Sequence, residues 1–242
     1  DALRAVAPET PLFDTDEVTR LQSVGGASAE WIAHTFDTQY VTESRFDHAS
    51  VERVGRYGQA DPIDSRSLGH YEQLDHYQRD HYATTYHPVR LLTDHAIDTH
   101  RRIDLDRLVV HYIPPHRPLV GAAIHEDRPL TDIEANPWAY IQRTRDRAPV
   151  WEAYLDTLRW VLPEVELLAE NVDGTVAVTA DHGEALGDHV YGHHVGSFHP
   201  KIRIVLWVTF DATDTGSYSP NLDDWKADIA SRDNALEALG YL

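Results

Sequence analysis

VAVTADHGEALGDHVYGHH, residues 176–194, decides how the rest of the chain is read. An apolar run (Val176, Ala177, Val178) suits a buried β-strand, and it stops at Asp181, His182 and Gly183. A strand fixes the ligand-bearing backbone, while a glycine lets the chain turn away and leaves an ion accessible. Strand C-terminal ends are also where open α/β sheets carry their sites. Adjacent carboxylate and imidazole groups at such an end can reach one divalent ion once the backbone leaves extended geometry. The carboxylate suits a hard cation and the imidazole suits Mn or Zn, so Ca, Mn, Mg and Zn all remain open. Asp181 and His182 are therefore the expected metal ligands, and the alternative is a helix-capping Asp beside a packing His. Further along, His193 is a candidate ligand or oxyanion partner. His194 takes its place if the register slips by one, and His189 and His199 read as structural or exposed.

Outward from this stretch, patterning predicts strands alternating with helices. Trp151, Tyr154, Leu155, Leu158, Leu162, Val165 and Leu168 recur at helical spacing over 150–171, with Pro163 expected to kink or restart the helix. Residues 88–102 read as a second helix with Val89, Leu92, Ala96 and Ile97 on one face. Strands are expected at 39–42, 108–113, 175–179 and 202–210, and helices at 28–36, near 69–82, near 138–145 and at 231–239. The opening 27 residues read as a short helix followed by a polar loop, and DRPLTDIEANP (127–137) as a solvated loop. The expected fold is α/β: one domain over 1–242 with a mostly parallel central sheet and helices on both faces.

Forty acidic against 21 basic residues give a net charge of −19, and only Lys201 and Lys226 are lysines. An acidic, lysine-poor surface stays hydrated in strong salt, which reads as a halophile adaptation and a salt-rich cytosol. Six tryptophans and 42% hydrophobic content argue against disorder. No basic face exists to neutralise duplex phosphates, so a nucleic-acid partner is not expected. There is no cysteine, hence no disulfide and no thiolate site. No apolar run approaches membrane-spanning length, although a peripheral membrane association stays open. With no methionine the sequence reads as a piece of a longer product.

TADHGEALGDH…YGHH resembles the C-terminal signature of the sulfatase-like branch of the alkaline phosphatase superfamily, and VVHYIPPHRPLV (109–120) resembles that family's strand ending in P-H-x-P. The closing LEALGYL is similar to the ending of many archaeal members. The resemblance implies a metal-dependent hydrolase or transferase acting on sulfate or phosphate esters of a glycan, lipid head group or small molecule. It implies Asp181 and His182 as metal ligands, His193 near the metal or transferred group, and His116 against the substrate's anionic head. It also implies an opening strand, ahead of Asp1, that ends in a further metal-binding Asp. The absent cysteine rules out the formylglycine nucleophile of many sulfatases. SVGGASAEWI (23–32) resembles the family's nucleophile segments and offers Ser28 as nucleophile, but places Gly26 where the archaeal pattern has its Ser. Ser28 serves equally as a helix N-cap with Glu30 in the first turn. A catalytically silent member, binding metal or anionic glycan in surface polysaccharide assembly, therefore stands as the alternative. A purely structural acidic domain is the third reading. Arg4 and Arg117 are further candidates for holding an anion, and Glu184 for assisting protonation.

Overall fold

The computed structural model describes residues 2–6, 18–27, 31, 39–42, 71–73, 77–79, 84–86, 89–187, 189–194 and 196–222, with the backbone alone for the strands between 39 and 86. The chain runs α1 (Ala2–Val6), β1 (Thr19–Gln22), β2 (Gln39–Thr42), β3 (Tyr71–Gln73), β4 (Tyr77–Arg79) and β5 (Thr84–Tyr86). It continues through α2 (Val89–Arg102), β6 (Leu108–His111), α3 (Gly121–His125), α4 (Asp132–Ala135), α5 (Pro137–Thr144) and α6 (Ala148–Ala169). The last described elements are β7 (Gly174–Thr179), β8 (Ala185–Leu186), β9 (Tyr191–Gly192), α7 (Pro200–Arg203) and β10 (Ile204–Ala212).

Mixed helix and strand is as expected, but a single mostly parallel sheet is not what the strands build. β3-β2-β6 is parallel, whereas β1-β10-β7 is antiparallel throughout. The reason lies in the connection between β7 and β10. Parallel strands need a long crossover, usually a helix. Residues 180–203 are instead spent on the β8–β9 hairpin and the short α7, so the chain returns beside β7 in the opposite sense, with Val208 opposite Val178. β1, in a segment expected to be a polar loop, adds to the other edge of β10. The expected helix near 69–82 is strand at 71–73 and 77–79. The expected helices at 28–36 and 231–239 lie outside the described residues, apart from Trp31 and its helical turn back to the Ala27 carbonyl.

α6 is the spine that the antiparallel sheet leans on. Its Leu155 and Leu162 pack with Leu3 and Val6 of α1 and Val208 of β10, and Leu158, Val165, Val178 and Phe210 close around them. Pro163 neither breaks nor restarts this 22-residue helix; it sits on the exposed face, where a missing N–H faces water. α2 covers the β6 sheet through Leu91 and Leu92 against Leu108, Val110 and Tyr112. The two helices are joined by a bidentate pair, Arg90 Nε and NH2 donating to the Glu164 carboxylate at 2.7 and 2.9 Å. The 127–137 segment is more than a loop. Thr131 and Glu134 form a capping box for α4, and Arg128 grips the buried Glu134 carboxylate with two bonds of 2.7 Å.

β6 and β7 border one cavity of about 1820 Å³ and, among the described residues, do not pair across it. They run in the same sense. The Asp173 N–H, just ahead of β7, donates at 3.0 Å to His100 Nε2 in the last turn of α2, the helix that leads into β6, and His111 at the end of β6 meets Asp181 just beyond β7. Leu158, Val161, Leu162, Val165 and Leu168 of α6 line the same cavity. β7 is thus half-open, although its sequence reads as a buried strand. No helix among the described residues is long and apolar enough to cross a membrane.

Candidate active site

Where β7 ends, the backbone turns through Asp181, His182 and Gly183. The Gly183 N–H donates to the Ile202 carbonyl at 2.7 Å, tying the turn to α7. A Cβ on Gly183 would fall on the Lys201 carbonyl, so only glycine permits this approach. The Ser23 hydroxyl donates a short bond to the Asp181 carbonyl and accepts from the Gly25 N–H at 3.2 Å. Arg203 closes the other side, its Nε donating to the Ser23 carbonyl at 2.8 Å.

The fixed turn aims its side chains. Asp181 Oδ1 accepts from the His182 N–H at 2.9 Å, and the His182 ring donates Nδ1–H to the Gly183 carbonyl at 3.0 Å. That bond sets the tautomer and turns His182 Nε2 toward Asp181 Oδ2, 3.4 Å away, with His111 Nε2 on the same oxygen at 3.9 Å. Oδ2 is buried, and Asp181 Oδ2 and His182 Nε2 lie close enough together to be offered to one cation.

The β8–β9 hairpin supplies the next wall. Its register sets Ala185 opposite Gly192, which brings Glu184 beside His193. His193 Nδ1 lies 2.6 Å from Glu184 Oε1, and the rings of His193 and His182 have centroids 4.0 Å apart. His116 arrives from the other sheet, beyond β6, with its ring centroid 5.2 Å from that of His193. Its loop is a tight turn, with the His116 N–H donating to the Ile113 carbonyl at 3.0 Å. The ring donates Nδ1–H to the Arg117 carbonyl at 2.6 Å, leaving Nε2 as an acceptor. Burial lowers the pKa of His116, and that of His111, below the usual imidazole value, so both rings are neutral near pH 7.

Four of the five expected site residues, Asp181, His182, His193 and His116, thus converge at one end of the cavity. Ser28 lies outside the described residues, although its neighbours Ala27 and Trp31 line the cavity. Gly26 abuts the loop after the hairpin. A Cβ there would sit 2.6 Å from the His194 carbonyl, so no serine fits at that position. His194 itself is exposed, His189 is exposed with a left-handed backbone, and His199 caps α7 by accepting from the Lys201 N–H at 3.3 Å.

Three residues of the site escape the sequence reading or are underrated by it. His111, whose alternation along β6 suits a core or edge residue, faces Asp181. Glu184, treated as a guess, is the partner of His193, and the hairpin signal (EALGDHVYGHH) could have shown the pairing. Tyr154 reads as a core position of α6, yet it lines the cavity. Burial and then the charges of Glu184 and Asp181 hold its phenol protonated well above the usual range. The cavity is also lined by Arg4, Arg20, Arg107, Arg117, Arg147 and Lys201 against four acidic groups, Asp106, Asp173, Asp181 and Glu184. In a chain with twice as many acids as bases, this inverted balance marks a place suited to an anion. No protein-family profile matches the chain, and no curated protein is similar to it at a significant level.

Proposed function

We propose that the chain is a metal-dependent hydrolase or transferase of sulfate or phosphate esters, with its reaction centre at the Asp181–His182 turn. The observation that carries this reading is the convergence of those two residues with His193 and His116 at the mouth of a base-lined cavity. Asp181 and His182 would hold a divalent ion, which would supply Lewis-acid charge at this end of the cavity. The cationic rim draws in the anionic ester, a step that the net charge of −19 otherwise opposes. Molar salt shortens the Debye length to about 3 Å and removes much of that opposition, in keeping with work in a salt-rich cytosol.

The remaining work belongs to the chain's own groups. His116 is neutral with Nε2 as acceptor, which suits it to take a proton from an attacking hydroxyl or water. Tyr154 stays protonated and can donate to a developing oxyanion. Glu184 holds the ring of His193 through Nδ1. Ser28 is the attacking hydroxyl in this reading. Turnover of an aryl phosphate and an aryl sulfate in molar salt with added divalent ions tests it. Asp181→Asn is expected to lower kcat/KM at least a hundredfold and Arg117→Ala chiefly to raise KM, while Ser28→Ala separates nucleophile from helix cap. Turnover that survives Asp181→Asn sinks the proposal.

The close packing of Gly26 favours a second reading, a non-catalytic binder of metal or anionic glycan, because that position has no room for a hydroxyl side chain. Bound metal without turnover, unchanged in Ser28→Ala, supports it.

A further inference from the structure

Glu184 occupies an unusual position for a carboxylate. Its side chain is 10% exposed, Oε1 is engaged by His193 Nδ1 at 2.6 Å, and Oε2 is buried with no hydrogen-bond partner. Leaving a charged oxygen dry and unpaired is costly, because desolvation is not returned by any bond. A simple ion pair with His193 accounts for one oxygen and leaves the other unexplained. The third group at this spot is His116, and one ligand atom from each of His116, Glu184 and His193 lies within 4.8 Å of the others.

The three are held by separate constraints that do not depend on an ion. The hairpin register sets Glu184 against His193. The bond from His116 Nδ1–H to the Arg117 carbonyl fixes that ring's tautomer and leaves Nε2 with its lone pair. Such a bond behind an imidazole is the usual support of a ligating histidine. Two imidazoles and one carboxylate are a donor set for a borderline ion with an open position, rather than for Mg or Ca, which prefer all-oxygen shells.

We propose that His116, Glu184 and His193 form a cation site of their own, for a divalent ion of the zinc class, beside the Asp181–His182 pair. The ion takes the place of the proton between His193 Nδ1 and Glu184 Oε1, that proton leaving to the ring's Nε2 or to solvent, and it compensates Oε2. It also joins the two sheets, because His116 follows β6 while Glu184 and His193 follow β7. This inference does not rest on ester chemistry: it concerns a second ion, whose binding takes up the His116 Nε2 lone pair and so excludes that ring as a base while the ion is held, and it stands or falls by binding, without turnover.

The test titrates the full chain in molar potassium chloride with Zn(II) or Co(II) alone, reading stoichiometry by equilibrium dialysis and Co(II) ligation by its visible absorption. Glu184→Gln and His116→Gln keep side-chain shape and are each expected to weaken one equivalent by 10- to 100-fold and to remove a nitrogen-type Co(II) spectrum. Asp181→Asn is expected to leave that equivalent bound. Should Glu184→Gln unfold the chain by near-ultraviolet circular dichroism, His116→Gln alone decides. Affinity within twofold of wild type in the folded variants overturns the site, as does loss of all binding in Asp181→Asn. Neither result bears on whether the Asp181–His182 centre turns over an ester.

Discussion

The corner around Gly183 and the cleft between β6 and β7 lie a few residues apart along β7 and are built on opposite terms. In the corner, every approach is close: Gly183 against Lys201, Gly26 against His194, and Ser23 and Arg203 bonded to the backbone of their neighbours. In the cleft, two strands run side by side in the same sense without pairing, and apolar β7 residues are half-exposed. The corner locates chemical groups and tolerates no added atom. The cleft leaves volume and tolerates substitution. A strand in this molecule is therefore not uniformly core: β10, paired on both edges, is, and β7, paired on one, is only in part.

The strongest way to break this contrast is Gly183→Ala. Its Cβ meets backbone rather than a movable side chain, so the turn must open. We expect a loss of about 3 kcal/mol or more, read by denaturant unfolding in molar salt, together with loss of divalent-ion binding. A change below 1 kcal/mol would show the corner to be as permissive as the cleft. Next in size is the Arg90–Glu164 pair, which joins the helices covering the two sheets. Arg90→Ala strands a carboxylate that is 10% exposed and should cost about 2–3 kcal/mol. Glu164→Gln leaves a guanidinium that is 44% exposed and can hydrate, so about 1 kcal/mol is expected. Equal costs would contradict this asymmetry. The cleft itself is addressed by matched changes on neighbouring strands. Val208→Thr, at a position 3% exposed, should cost about 1–2 kcal/mol, and Val176→Thr on half-open β7 less than about 0.5 kcal/mol.

The smallest effect concerns acid. Arg101 bonds Asp214 through two contacts of 2.6 and 2.7 Å and holds its carboxyl at about 2 instead of 3.8. As pH falls the unfolded chain takes up this proton first, so the contribution is full above 3.8 and gone below about 2. Asp214→Asn should flatten the stability profile within that window and lower it by a constant amount above pH 5, with no change of slope there. A profile as steep as that of wild type between pH 2 and 4 would remove Asp214 from the account.

Much of this was legible beforehand. α2 and β2 were marked by period and length, α6 by its helical apolar spacing, and the turn at 181–183 by the strand–Asp–His–Gly sequence. The sheet sense was not, because pairing direction depends on what the connection does. The signal lay in the absence of helical period over 180–203, which makes an antiparallel return the simpler outcome. β1 was missed because TRLQ has one apolar residue and owes its strand state to the open edge of β10. Glu184 and Tyr154 were undervalued for one reason: a residue's place in a helix or hairpin pattern says which way it faces, not which distant segment meets it there. His116 was named through the resemblance of its segment to a P-H-x-P strand end, yet its neutral state follows from burial, which no local pattern reports.

Because the imidazole after β6 and the groups after β7 approach from different sheets, an ion gripped between them would act as a rivet across the molecule. Its affinity and the cohesion of the fold would then be one linked quantity, each tenfold excess of free ion over its Kd adding about 1.4 kcal/mol against unfolding. Chelation would be felt first as a loosening between the two sheets.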